Sequence, residues 1–250
     1  VHRRDSAVVG KKPSRWTPAS AMFDQVRLIC FDLDDTLWPC HEVIRAAEAE
    51  CYDWLAREAP RLTARYSEQQ LREHRMATGQ SHPEIAHDLT EVRVRSLMGL
   101  LEGEGYPADL AHRASDVFRA ARNRVTPYDE VVDGLARLRE HYTLVSVTNG
   151  NSQIEHTPLH ASFDHSLTAA EVGAAKPHPA IFHAASRGSG VPLEAFLHVG
   201  DDPVRDVQAA RDLGLPAVWV NRGGTEWPAT LPAPELEVGD LTELVERLLG

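Results

Sequence analysis

A doubly wound, Rossmann-like parallel α/β sheet with an inserted helical block is the architecture this sequence predicts, on three observations. Short apolar, β-rich runs stand at 26–31, 143–148, 166–168, 196–200 and 217–220, and beyond Tyr128 they alternate with helical patterns in the manner of βαβ units. Between the first run and the second, from Glu42 to Arg124, apolar residues recur at three and four and strand signals are absent. Acidic, hydroxyl and lysine side chains then cluster near the C-terminal ends of the runs, the sheet edge where open α/β folds place their ligands.

In chain order, residues 1–20 hold Arg3, Arg4, Lys11, Lys12 and Arg15 among small residues and proline, and read as a flexible extension. Val26 to Phe31 is a buried strand. The helical block follows, with Val43, Ala46, Ala47, Cys51, Trp54 and Leu55 on one apolar stripe and Leu89, Val92, Leu97, Leu100 and Leu101 on another. Pro60, the stretch 79–83 and the stretch 103–107 punctuate it into about four helices. Helices are expected at 131–140, 179–187 and 203–213, a Pro-rich loop at 227–234 and a last helix at 240–249. The organisation is therefore an α/β core from 21–41 and 126–250, with 42–125 as the insertion.

The length of 250 residues suffices for a sizeable core. With 26 basic against 37 acidic residues the formal charge is −11, which argues against a broad nucleic-acid surface and for a small-molecule partner. An anionic partner would need local cations. Cys30, Cys40 and Cys51 make no disulfide framework, and no second pair with ligand-like spacing joins Cys40-His41 in a thiol metal site. No stretch approaches the roughly 20 apolar residues that cross a bilayer, and the first residues lack a signal-peptide core, so a cytoplasmic protein without a membrane partner is expected.

The chemistry concentrates at four places. Asp32 and Asp34 follow the first strand, Thr148-Asn149-Gly150 the second, Lys176-Pro177 precedes a helix, and Gly200-Asp201-Asp202 ends the fourth strand. Two carboxylates as close as Asp32 and Asp34 repel each other unless a cation or a chemical task compensates. Carboxylates to hold Mg²⁺, a lysine, a hydroxyl and backbone amides form a coherent set for phosphoryl transfer.

These motifs, in this order, resemble the haloacid dehalogenase superfamily, with its Asp-x-Asp-x-Thr, Ser/Thr, Lys and Gly-Asp pattern running here from Phe31 to Asp206. The resemblance implies that the helical insertion is a cap over the site. It implies Asp32 as the nucleophile that forms an aspartyl-phosphate, and Asp34 as the group that protonates the leaving oxygen and then activates water. Thr148 and the Asn149 amide would grip the phosphoryl group and Lys176 would screen it from Asp32. The Asp32 carboxylate, the Asp34 carbonyl and Asp201 would ligate Mg²⁺, with Asp202 and Asp206 as outer groups. Dehalogenating members lack an acid two residues after the nucleophile, since a halide leaves without a proton. Asp34 thus favours hydrolysis of a phosphomonoester, a small phosphorylated metabolite.

A finer resemblance lies in Pro83 to Thr90 with Arg93, in Thr148-Asn149-Gly150-Asn151 and in Leu197 to Asp202, which are similar to bacterial phosphatases acting on flavin mononucleotide and the phosphorylated ribitylaminouracil precursor of riboflavin. It implies that Gly150 and Asn151, and His87 and Arg93 from the cap, face the substrate. A phosphomutase or phosphotransferase, or a non-enzymatic metabolite-binding module, stays open as an alternative.

Other residues invite plainer readings. Trp38 is expected to pack at the hinge, His198 to be a hydrogen-bonded core histidine, and Glu48, Glu50 and Glu58 with neighbouring arginines to form a solvated face. Asp35 is expected to point away from the site.

Overall fold

The computed structural model describes residues 23–250, and the expected basic extension lies outside them. Six parallel strands form one sheet in the order β3-β2-β1-β4-β5-β6. They are β1 (Leu28–Phe31), β2 (Thr143–Thr148), β3 (His165–Thr168), β4 (Phe196–Gly200), β5 (Ala217–Val220) and β6 (Leu236–Val238). All of β1 is buried, because the sheet is covered on both faces and its central strand has no solvent side.

The two-residue period assigns those faces. Ile29 and Phe31 pack with Leu135, Leu138, Leu244 and Val245, whereas Leu28 and Cys30 pack with Val145, Val147, Ile181 and Phe182. Helices thus flank the sheet on both sides. Beyond β1 the chain runs outward through β2 and β3, then returns to the other side of β1 with β4. That reversal opens the crevice between the ends of β1 and β4, into which the loops carrying Asp32, Asp34 and Asp201 lead.

The inserted block consists of α1 (Cys40–Glu58), α2 (Pro60–Arg65), α3 (Glu68–Ser81), α4 (Leu89–Gly103) and α5 (Asp109–Arg122). It has its own apolar core, in which Ala47, Cys51 and Leu55 meet Leu97, Leu101, Leu110 and Phe118. Ser67 and Gln70 close a capping box on α3, and the Asp88 carboxylate accepts from the Thr90 and Glu91 amides at the start of α4. Five helices stand where about four were expected. Pro60 opens a short helix instead of only ending one, since proline's missing N–H costs nothing in a first turn.

Of the core helices, α6 (Val131–Arg139) precedes β2, while α7 (Ala169–Val172), α8 (Ala180–Ser189), α9 (Ala209–Arg211) and α10 (Leu241–Leu249) follow β3. The helix expected at 203–213 is present but starts as a π-helix over Pro203–Gln208 that runs into α9, with the Val207 amide reaching the Asp202 carbonyl at 3.2 Å. Edge strand β6 was not anticipated, because its three residues follow a Pro-rich stretch and offer too short a pattern. Among the described residues no helix is long and apolar enough to cross a membrane.

Candidate active site

Asp32 is the first residue past β1, and its amide continues the ladder by donating to the Val199 carbonyl at 2.9 Å. The chain then turns tightly. Asp35 takes a left-handed φ of 59°, its amide donates to the Trp38 carbonyl at 2.8 Å, and its carboxylate accepts from the Cys40 amide at 2.8 Å. Asp35 therefore secures the entry to α1, although it also borders the cleft.

The turn folds Trp38 inward, fully buried, so that its indole N–H donates to Asp34 Oδ1 at 2.8 Å. Trp38 is packed as expected, with this added polar role. Arg122, at the end of α5, also donates to Asp34 Oδ1. The second oxygen, Oδ2, faces Gly150, where a Cβ would lie only 2.6 Å from it.

Lys176 is buried and donates to Asp32 Oδ1 at 2.5 Å, to Asp206 Oδ1 at 2.7 Å and to the Val147 carbonyl at 3.1 Å. Its backbone is clamped by Asn149, whose side chain donates to the Lys176 carbonyl at 2.8 Å and accepts from its amide at 2.7 Å. Asn149 thus leaves only its backbone for a ligand. Thr148 accepts from the Gly150 amide at 2.9 Å, which fixes the turn after β2. His198 lies buried in β4 and pairs with Asp206 Oδ1 at 2.9 Å, the hydrogen-bonded core histidine expected.

Thr36 bridges two acids, donating toward Asp32 Oδ2 at 3.3 Å and Asp201 Oδ1 at 3.2 Å. Oxygens of Asp32, Asp201 and Asp206 converge within 4.8 Å of one another. Burial pushes the Asp201 carboxyl up to about 7, and the neighbouring Asp206 and Asp35 charges add to the push. Burial likewise raises Asp32, against the pull of Lys176. Burial would lower Lys176, but Asp206 and Asp32 overcome it and hold the ammonium charged. Burial would also raise Asp206, yet Lys176 and His198 hold it ionised. Asp202 spends one oxygen on the Val204 and Arg205 amides, both at 2.8 Å.

A cleft of about 370 Å³ brings together Asp32, Asp34, Thr148, Asn149, Gly150, Asn151, Lys176 and Asp201, the whole set expected from the sheet edge. Asn151 also reaches the inserted block, donating to Thr90 Oγ1 at 3.2 Å. The two residues expected from the block fare differently. His87 sits half-buried in the turn before α4 and does not border this cleft. Arg93 is buried, with its guanidinium forked onto Glu48 at 2.8 and 3.0 Å and stacked over the Phe118 ring.

That geometry corrects the reading of Glu48. It is 9% exposed and bound by both Arg93 and Arg75, so it belongs to a buried ion cluster and not to a solvated face. Sequence reasoning also missed Arg122. The one available signal was a cation on the apolar stripe of α5, one turn past Phe118 and beside Ala121.

A family model of haloacid dehalogenase-like hydrolases matches residues 26–214. The chain belongs to this family. It is 32% identical over 232 residues to the 5-amino-6-(5-phospho-D-ribitylamino)uracil phosphatase YigB of Escherichia coli (strain K12), with 90% of this chain and 97% of that protein covered. It is 28% identical to the (S)-2-haloacid dehalogenase of Pseudomonas sp. (strain YL), with 89% and 94% covered. Among solved structures, the 2-haloacid dehalogenase from Pseudomonas syringae pv. Tomato DC3000 superposes with a TM-score of 0.82 at 36% identity, covering 90% of this chain and 98% of that one. The protein is a hydrolase of this family, and its relatives divide between phosphate esters and carbon–halogen bonds.

Proposed function

We propose that this hydrolase cleaves phosphate monoesters of small metabolites through an aspartyl-phosphate on Asp32. The observation that carries the reading is Asp34: its Oδ1 is anchored by Trp38 and Arg122 while Oδ2 faces the space above Gly150, beside Thr148. An alkoxide leaving phosphorus needs a proton there, whereas a halide leaving carbon does not. Lys176 orients Asp32 and offsets part of the negative charge that an incoming phosphate would meet. The Thr148 hydroxyl and the Asn149 amide would hold the phosphoryl oxygens, with the Gly150 amide spent on Thr148.

The donor set fits Mg²⁺. The converging ligands are all hard oxygens, and the Asp201 carboxyl, pushed up to about 7 by burial and further by the neighbouring Asp206 and Asp35 charges, is a group whose ionised form a divalent cation would favour. Asp206 is occupied by Lys176, His198 and the Asp202 amide, so Asp32 and Asp201, with the Asp34 carbonyl, are the ligands we assign. Bound there, Mg²⁺ would neutralise charge on the phosphoryl group.

We read the block α1–α5 as a cap, with the substrate's organic part beneath it. A second cavity of about 620 Å³ meets the cleft at Ile44, Leu89, Asn151 and Arg205 and is lined further in by the apolar Met76, Val92 and Phe118 on one side and by the ion cluster of Glu48, Arg75 and Arg93 on another. Its size and apolar wall suit a bulky leaving group such as that of flavin mononucleotide or a riboflavin-pathway phosphate better than a bare sugar phosphate. The reaction would take place in the cytoplasm.

The test is phosphate release from a panel of esters that includes flavin mononucleotide, phosphoserine, sugar phosphates and p-nitrophenyl phosphate, with Mg²⁺ or EDTA. Release that requires Mg²⁺ and vanishes in Asp32→Asn supports the reading. Halide release from a 2-haloacid, with every ester inert, would overturn it.

A further inference from the structure

Arg122 is 1% exposed, yet among the described residues only its Nη2 is paired, on Asp34 Oδ1, and its buried Nε and Nη1 find no partner there. A desolvated guanidinium with open donors is costly, and it contributes little to stability that an apolar residue of the same size would not supply. It borders the Asp32 cleft. It also comes from the inserted block, as the last residue of α5, whereas its partner follows β1 of the sheet.

The surroundings show what the contact does. A Cβ placed on Gly150 would lie 2.6 Å from Asp34 Oδ2, 3.2 Å from Thr148 Oγ1 and 3.4 Å from Arg122 Nη2. These three groups therefore enclose one small space over the Gly150 backbone. Trp38 and Arg122 both pull on Oδ1, and the carboxyl plane is thereby fixed with Oδ2 toward that space.

We propose that Arg122 is a positioning residue for proton transfer in phosphate-ester hydrolysis: it holds Asp34 so that Oδ2 meets the oxygen of the leaving group. The inference rests on the phosphatase reading above. In the first step an Asp32 oxygen bonds to phosphorus, the ester P–O bond breaks with its electron pair on the leaving oxygen, and that oxygen takes the proton from Asp34 Oδ2. The product leaves as an alcohol. In the second step Asp34 takes a proton from water as the water oxygen bonds to phosphorus, and the bond to Asp32 breaks with its electrons returning to the carboxylate. Phosphate is released and both acids are restored.

Arg122→Met and Arg122→Lys, compared on two kinds of ester, test the proposal. Kcat/KM reports the first step alone, and an aryl ester with a stable phenolate needs little proton help in it. For the fastest alkyl phosphate of the panel, Arg122→Met should lose about 100-fold in kcat/KM, and for p-nitrophenyl phosphate roughly tenfold less than that. Kcat, which includes the shared water step, should fall for both. Arg122→Lys keeps the charge but not the planar fork, and should show the same asymmetry in weaker form. Trp38→Phe, which removes the other donor to Oδ1, should shift the ratio in the same direction and serves if the Arg122 variants fail to fold. Equal losses on both esters in the folded variants would make Arg122 merely structural and overturn the proposal. A wild-type protein inert toward every ester would instead bring down the phosphatase reading itself.

Discussion

Replacing Gly150 with alanine separates the chemistry of this site from its stability. Gly150 is not among the glycines with left-handed φ, so its backbone accepts a side chain without strain. The obstacle is Asp34. The new methyl would stand 2.6 Å from its Oδ2, and ordinary contact begins near 3.4 Å, so the carboxylate must withdraw by about 0.8 Å. Oδ1 is tied to Trp38 and Arg122, and the withdrawal therefore rotates the carboxyl off its rotamer or loosens one of those donors. Such a rotation costs on the order of 1 kcal/mol, a shift of roughly 2–4 °C in melting temperature for a chain of this size. A displacement approaching 1 Å at a proton-transferring group costs about 100-fold in rate. We expect a folded Gly150→Ala protein, by circular dichroism and thermal melting, with kcat/KM for alkyl phosphates reduced about 100-fold. Activity within threefold of wild type would refute the placement of Oδ2 at the reaction centre.

Two further outcomes probe the buried charges. At Gly200 an added Cβ would collide with Asp206 Cγ at 2.3 Å, and Asp206 is locked by Lys176, His198 and the Asp202 amide; Gly200→Ala should therefore cost about 3–5 kcal/mol and lower the melting temperature by roughly 10 °C or more, unlike its counterpart at Gly150. Glu48→Gln should remove about 3 kcal/mol by leaving the Arg93 and Arg75 guanidinium groups underpaired in the inserted block. Burial pushes the Glu48 carboxyl up, but Arg93 and Arg75 prevail and hold it below its ordinary 4.5. The folded state thus binds this proton less tightly than the unfolded one, and the stabilisation is present above pH 4.5 and lost as the pH falls below it. Urea unfolding of both proteins at neutral and acid pH should show the gap closing toward low pH; a gap that widens there would contradict the assignment.

What the sequence disclosed and what it withheld follow from one physical distinction. Asp32, Thr148 and Asp201 were legible because each ends an apolar run or lies directly beyond one, and strand polarity alone sends such residues to one sheet edge. Lys176 lies outside a strand and was singled out by its place before a helix, but its role was supplied by the resemblance. The Glu48–Arg93 pair and the Asp34–Arg122 pair join residues 45 and 88 positions apart, and no local period encodes either. Helical spacing placed Glu48 on a face but could not say that the face would be covered by α4. Arg93 was expected to face a substrate through the finer resemblance, and it borders the larger cavity, but its partner Glu48 could be seen only in three dimensions.

Arg122 extends the point to mechanism. The sheet positions the Asp34 backbone, yet neither anchor of its carboxylate belongs to the sheet: Trp38 lies in the turn that leads into the inserted block, and Arg122 closes that block's last helix. Asp34 can therefore be recognised from the ordered acids alone, but the direction of its Oδ2 depends on how the block packs against the core. A change in that packing would move Oδ2, the oxygen we propose transfers the proton, without touching any of the acids at the strand ends. In a family whose members divide between a leaving group that needs a proton and one that does not, that contact is where a difference of reaction would be felt first.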